Sequence, residues 1–256
     1  MHVLNEWLAA LEERHLADLT FAEAARALRA LSATYVERRD RLARRGALDT
    51  AGKRAAYALF YSPLHFLTVQ QIVTALSLPT APVRHVIDLG CGAGAAGAAW
   101  ASALTPPAGV SGIDTHPWAV AEAAFTYRMC GVRGDTRRGD AARLVIPRQA
   151  DGVIAGWMLN ELSDDAREDV KGELLEAVAR GAQVLIVEPI ARRAAPWWPD
   201  WVTAFAHAGA RADEWRFRVE LPDLLKRFDH AAGLRHDELK ARSLCCYQRS
   251  AISAKS

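Results

Sequence analysis

Between residues 86 and 97 the chain reads Val86-Ile87-Asp88-Leu89-Gly90-Cys91-Gly92-Ala93-Gly94-Ala95-Ala96-Gly97, an apolar run that ends in an acid and enters a glycine-rich turn. Glycine in such a turn permits positive φ and lets backbone approach a ligand closely. The first amides of a helix beyond the turn lack partners and can receive a negatively charged group. The stretch reads as a cofactor cradle, against the blander reading of a turn that only packs strand on helix. Gly92, Gly94 and Gly97 alone satisfy the G-x-G-x-x-G dinucleotide pattern, a weak signal by itself. Asp88 discriminates, because an acid there suits a ligand with an ammonium group and sits poorly beside a pyrophosphate. Further on, Asp114 ends an apolar run, where a carboxylate can accept from both hydroxyls of a ribose or else cap a turn. Asn160 and Glu161 follow another apolar run and can position or deprotonate a substrate, or simply cap and face water.

The elements that must position these groups alternate. Strands are expected over 83–89, 110–113, within 131–138, over 151–157 and over 184–188, with helices over 93–104, from His116-Pro117 to Cys130, and over 163–180. That alternation predicts a parallel sheet covered on both faces, with ligand chemistry gathered at the carboxyl ends of the strands. Residues 215–221 and 244–248 have the composition of a last antiparallel pair, with a helix over 222–234 between them. Before the sheet, apolar spacing predicts a helix over 3–16, and Thr20-Phe21-Ala22-Glu23 reads as a capping box for a second helix reaching about Gly46. A third helix runs from a cap at Asp49 or Thr50 to Tyr61. Ser62-Pro63 reads as the cap and first turn of a fourth, to Leu76, and Pro79 to Pro82 as a linker. Tyr57, Phe60, Tyr61, His65 and Phe66 form an aromatic cluster that either closes over a substrate or packs helix on sheet. The same two readings, stacking on a planar substrate or wedging a helix, apply to Trp197, Trp198 and Trp201.

At 256 residues and 51% hydrophobic, the chain can bury one substantial core, so we expect residues 1–82 as a helical extension or lid and 83–256 as the ligand-binding domain. A net charge of +2 gives no general pull on nucleic acid; only the cluster Arg38, Arg39, Arg41, Arg44 and Arg45 in the second helix argues for one, and it also suits a helix dipole. Cys91, Cys130, Cys245 and Cys246 lack zinc-ligand spacing, so no metal is expected, and reduced thiols point to the cytoplasm. Cys245 and Cys246 should face opposite sides of a strand. Acids among the first apolar residues argue against a signal peptide, and no apolar run is long enough to cross a bilayer.

Asp88-Leu89-Gly90-Cys91-Gly92-Ala93-Gly94 resembles the first motif of class I S-adenosylmethionine (SAM) methyltransferases, acid-x-Gly-x-Gly-x-Gly. The resemblance implies a Rossmann-like α/β fold, a seven-stranded, mostly parallel sheet with helices on both faces. It implies SAM as cofactor, its amino-acid end on Gly90, Cys91, Gly92 and Gly94 with Asp88 near its ammonium, its ribose on Asp114 and Thr115, and its adenine by Asp140 and Ala141. Trp157 would offer a π face to the sulfonium, and Trp157, Asn160 and Glu161 would form the catalytic loop. A narrower likeness spans about Tyr57 to Pro189: Trp157-Met158-Leu159-Asn160-Glu161-Leu162 and Val184-Leu185-Ile186-Val187-Glu188-Pro189 resemble segments of a methyltransferase-like family associated with the small ribosomal subunit, without its iron–sulfur cysteines. The implied function is methyl transfer to a small molecule or peptide. The alternatives are an RNA or ribosome acceptor reached through the basic second helix, and a non-catalytic SAM-binding assembly factor. Glu188 would hold the sheet edge or face the acceptor.

Overall fold

A computed structural model of the chain describes residues 2–37, 48–77, 83–191 and 195–247. The arginine cluster at 38–45 and the linker at 79–82 lie outside the described residues. Seven strands, β1 (His85–Leu89), β2 (Gly109–Asp114), β3 (Gly134–Arg138), β4 (Gly152–Gly156), β5 (Gln183–Glu188), β6 (Arg211–Phe217) and β7 (Leu239–Cys246), form one sheet in the order β3-β2-β1-β4-β5-β7-β6. β1 to β5 run parallel and β7 is antiparallel to both of its neighbours, as expected of the fold.

Both strands of the final pair start earlier than their apolar content suggested, and β7 is also longer. β6 begins at Arg211 and β7 at Leu239, and both carry charged residues. β6 is an edge strand bonded on one side only, so its charged side chains stay in water and nothing requires an apolar run.

Alternation along the strands divides the core. Val86, Val110, Ile154, Leu185 and Cys245 face one side, with α1 (His2–His15), α2 (Phe21–Glu37), α3 (Ala51–Ala56), α4 (Ser62–Leu76), α5 (Ala95–Ser102) and α6 (Pro117–Met129) contributing to that layer. Ile87, Ile113, Val153, Ile186 and Cys246 face the other side, against α7 (Asp164–Ala179) and α8 (Trp198–His207). The two adjacent cysteines are therefore separated by the sheet. α9 (Asp223–Ala232) joins the first layer through Leu225 and Phe228. Trp201 and Trp198 are buried in the second layer, which settles the wedging role for them.

The N-terminal helices share the first core. Trp7 packs on Phe66 with ring centroids 5.4 Å apart, and the capping box forms, Thr20 N donating to Glu23 Oε2 at 2.8 Å and Glu23 N to Thr20 Oγ1 at 3.3 Å. The break expected at Ser62-Pro63 is absent. Ser62 is helical (φ −59°, ψ −48°), and α3 continues into α4 through a π-helical turn, Tyr57–Tyr61. Proline has no N–H for the carbonyl four residues back and its ring crowds that carbonyl. The wider turn, in which Ser62 N bonds Tyr57 O, accommodates Pro63 without ending the helix.

One buried charge fastens α1 to the sheet layer. Glu122 on α6 is fully buried and accepts from Arg14 Nε at 3.2 Å, and His15 Nε2 lies 2.8 Å from its other oxygen. Breaking a buried pair leaves a charge uncompensated, though Arg14 is half exposed and reduces the effect. Glu122→Ala is expected to cost about 2–3 kcal/mol in urea unfolding and to speed proteolysis between α1 and α2. A loss under about 0.5 kcal/mol with unchanged cleavage would contradict this anchoring role.

Candidate active site

The parallel strands end level with one another, β1 Leu89 beside β2 Ile113 and β4 Ala155, so the loops leaving their carboxyl ends converge. They enclose a cavity of about 540 Å³. Gly90, Gly92, Asp114, Thr115, Asp140, Ala141, Trp157, Asn160 and Glu161 line it, together with Tyr57, Tyr61 and His65 from the helices above. Of the residues expected at the cofactor site, Asp88, Cys91 and Gly94 do not line it.

Asp88 serves the loop from beneath. Its Oδ2 accepts from Gly97 N and from Tyr127 Oη, each at 3.0 Å, and the residue is 1% exposed. A Cβ on Gly97 would lie 2.5 Å from that same oxygen, so the third glycine of the pattern makes room for the acid. Burial pushes the Asp88 carboxyl up to about 7, against the lowering effect of Tyr127 and Gly97. Cys91 is buried, and its amide bonds Ile113 O on the neighbouring strand at 3.0 Å. Gly94 begins α5.

Gly92 is where the loop meets the cavity. It sits at φ +51°, and a Cβ there would lie 2.7 Å from Tyr57 Oη. Its amide donates to Asp114 Oδ2 at 3.0 Å, while His116 N donates to Oδ1 at 2.8 Å. Each carboxylate oxygen keeps accepting capacity beyond these bonds. Asp140 caps the 3₁₀ turn Ala141–Arg143, Oδ1 taking Ala142 N at 3.0 Å, so it is both cap and cavity wall.

Trp157 holds a left-handed backbone, φ 57°, rare for a large side chain and of a kind that clusters at functional sites. Its ring stacks on His65 at 3.8 Å and 5°, so one of its two faces is already covered. Burial lowers the His65 pKa to about 3, which keeps that imidazole neutral.

The loop after β4 is clamped from below. Glu188, fully buried at the end of β5, accepts from Leu159 N at 3.0 Å and from Asn160 Nδ2. Asn160 Oδ1 accepts from Trp197 Nε1 at 3.2 Å. Arg167 on α7 donates to Leu159 O at 3.0 Å and Leu162 O at 2.7 Å, and lies over the Trp197 ring at 5.1 Å. Glu188 thus holds the loop and does not face the cavity. Burial raises its pKa to about 8. The clamped loop carries Glu161 to the mouth of the cavity, where the residue stays open to solvent while the walls beside it and the Asp114 charge push its carboxyl up to about 7. Sequence reasoning passed over Tyr127 and Arg167, which read as ordinary residues of amphipathic helices and act only through what folding brings to them.

The sheet order, the reversed β7 and a nucleotide-sized cavity at the parallel strand ends define the class I methyltransferase fold. A methyltransferase-domain family matches residues 86–181. No curated protein matches the sequence. A putative O-methyltransferase from Nostoc punctiforme superposes with TM-score 0.56 at 16% identity, covering 88% of this chain and 72% of that one. A SAM-dependent methyltransferase from Leishmania major gives 0.54 at 12% identity, covering 81% of each. The pyocyanin biosynthetic protein PhzM gives 0.51 at 16%, covering 82% of this chain and 61% of that one. Residues 86–181 thus match a methyltransferase domain, and the chain has the fold of SAM-dependent methyltransferases. No described helix is long and apolar enough to cross a membrane.

The buried acids make stability depend on pH. Asp88 titrates near 3.8 when unfolded and about 7 when folded, so between those values the folded state holds the extra proton, and raising the pH across that window weakens folding. Glu188 extends the window to about 8. The urea midpoint of the ligand-free protein is expected to fall from pH 5 to pH 8, and less steeply in Asp88→Asn; parallel profiles for the two proteins would contradict this.

Proposed function

We propose that the chain transfers a methyl group from SAM to a small organic acceptor held between Tyr57, Tyr61, His65 and Glu161. The observation that carries this reading is the enclosure of the strand-end cavity by the π-helical turn and α4, which set three ring side chains across from the Asn160–Glu161 loop. Tyr61 closes it as a small-molecule site requires, although Trp197 stands behind Asn160 rather than in the wall.

The residues present fit the cofactor. In this reading the Gly90–Gly92 backbone receives its amino-acid end, Asp114 and Thr115 its ribose, and Asp140 and Ala141 its adenine. Asp88 supports the turn from below and leaves the ammonium to other acids of the cavity. When bound, the cofactor supplies an electrophilic methyl carbon on a sulfonium. The chain's share is to exclude water with the aromatic wall and to hold the acceptor in line, which is most of what transfer to a ready nucleophile needs. Glu161, with a carboxyl near neutrality, is the group placed to take a proton from the acceptor. The four buried cysteines without disulfides agree with a cytoplasmic enzyme.

Asp114→Ala is expected to weaken S-adenosylhomocysteine binding at least about tenfold by calorimetry, about 1.4 kcal/mol, and to lower the unfolding midpoint as the Gly92 and His116 amides lose their acceptor. Wild-type protein that is folded yet binds none would overturn the cofactor site. With labelled SAM, a screen of cell extracts should place the label in the small-molecule fraction; an RNA acceptor would instead put it in RNA and show salt-dependent filter binding.

A further inference from the structure

The lining of the cavity has a one-sided charge, with Asp114 and Asp140 on the side read as the cofactor's and Glu161 on the acceptor's. Among the described residues lining the cavity there is no lysine or arginine, whereas Asp114, Asp140 and Glu161 are acids. Of the two histidines in the lining, His65 is kept neutral by burial, and His116 uses Nδ1 to accept from Trp118 N. Above these acids stand Tyr57, Tyr61 and His65, with ring centroids 6.2 to 6.4 Å from one another. Aromatic faces attract cations and a partly enclosed wall of one charge sign focuses its field inward. Glu161 is the unengaged member of the set. Asp114 and Asp140 each accept backbone amides, but among the described residues the Glu161 carboxylate has no hydrogen-bond or ion-pair partner. The groups that face it electrostatically are Asp114 from β2, Tyr57 from the π-helical turn and Glu188 from β5, none of them cationic.

We propose that the acceptor is an amine that enters as its ammonium ion, is held by the tyrosine rings and Glu161, and gives its proton to Glu161 before methyl transfer. The proposal rests on the small-molecule reading above and names its substrate class. The reaction balances without a further reagent. Glu161 takes one proton from the ammonium, and the freed nitrogen lone pair forms the N–C bond as the C–S bond breaks. The pair from that bond stays on sulfur as the neutral thioether, the product is a methylated ammonium, and Glu161 returns its proton to water.

Burial decides between nitrogen and oxygen acceptors. Desolvation lowers the pKa of an ammonium toward that of Glu161, and raises the pKa of a phenol or alcohol away from it. The Tyr57 hydroxyl in the same cavity shows the second trend, pushed up by burial and by Glu161. An amine becomes easier to deprotonate on entry, and a hydroxyl becomes harder.

The test uses three probes of similar shape, benzylamine, benzyl alcohol and benzoate, titrated by calorimetry into the full chain saturated with S-adenosylhomocysteine. Benzylamine is expected to bind at least tenfold more tightly than benzyl alcohol, and benzoate not detectably. The preference should grow from pH 6 to pH 8 as Glu161 ionises. Glu161→Gln, isosteric and expected to fold, should erase it by weakening benzylamine at least tenfold; Tyr61→Leu should weaken it. Equal or tighter binding of benzyl alcohol or benzoate, or a preference that survives in Glu161→Gln, would overturn the proposal. In parallel, labelled SAM is offered to matched small amines, alcohols and phenols and to total RNA and protein. Label on a small alcohol or phenol leaves the small-molecule reading standing and overturns the amine. Label only in RNA or protein removes the small-molecule reading itself.

Discussion

Three strand-end carboxylates hold the loops that make this site, and each does so by taking backbone amides. Asp88 at the end of β1 accepts from Gly97, Asp114 at the end of β2 accepts from Gly92 and His116, and Glu188 at the end of β5 accepts from Leu159. Loop amides at a sheet end have no ladder partner, and burying them unpaired is costly. A carboxylate can satisfy several amides at once and makes stronger bonds than a neutral acceptor. The fold therefore concentrates acids where its loops converge. Burial raises Asp88 and Glu188 beneath the loops, whereas Asp114 both pins Gly92 and lines the cavity, so structural pinning and cavity acidity meet in that one residue. A cofactor carrying a sulfonium and an ammonium suits such a cavity, and so does a cationic acceptor.

Those acids were legible in the sequence to different degrees. Asp88, Asp114 and Glu188 stand out because each ends an apolar run, and the glycine pattern beside Asp88 lies in the loop that reaches the cavity. Their directions were not legible. Spacing puts Asp88 next to the glycine turn, but its carboxylate lies under the turn because Gly97 leaves space there and Tyr127 reaches down from α6. A helix tyrosine with apolar neighbours reads as core, and only the packed fold shows its hydroxyl on an aspartate. The same applies to Arg167, whose partners are carbonyls of a loop five to eight residues earlier. The sheet was legible where both faces are buried, since β1, β4 and β5 are continuous apolar runs. It was displaced at β6 and β7, where an edge strand tolerates charge.

The aromatic cluster illustrates how one segment serves two purposes. Phe60 and Phe66 are in the core, whereas Tyr57, Tyr61 and His65 line the cavity, so the one segment presents a packing face and a cavity face. The spacing of the cavity-facing set is four residues at each step. In an α-helix a step of four overshoots a full turn by about 40°, so three residues spaced by four drift about 80° across the helix face. In a π-helical turn, with bonds reaching five residues back, more residues fill each turn and a step of four falls short. The step from Tyr57 to Tyr61 lies in the π-helical segment and the step from Tyr61 to His65 in α4, so the two drifts oppose each other. Pro63, whose missing donor favours the wide turn at that place, is thus connected to the alignment of three rings along the cavity wall. A proline that sequence patterning assigns to a helix start instead keeps a longer helix in register with the site it covers.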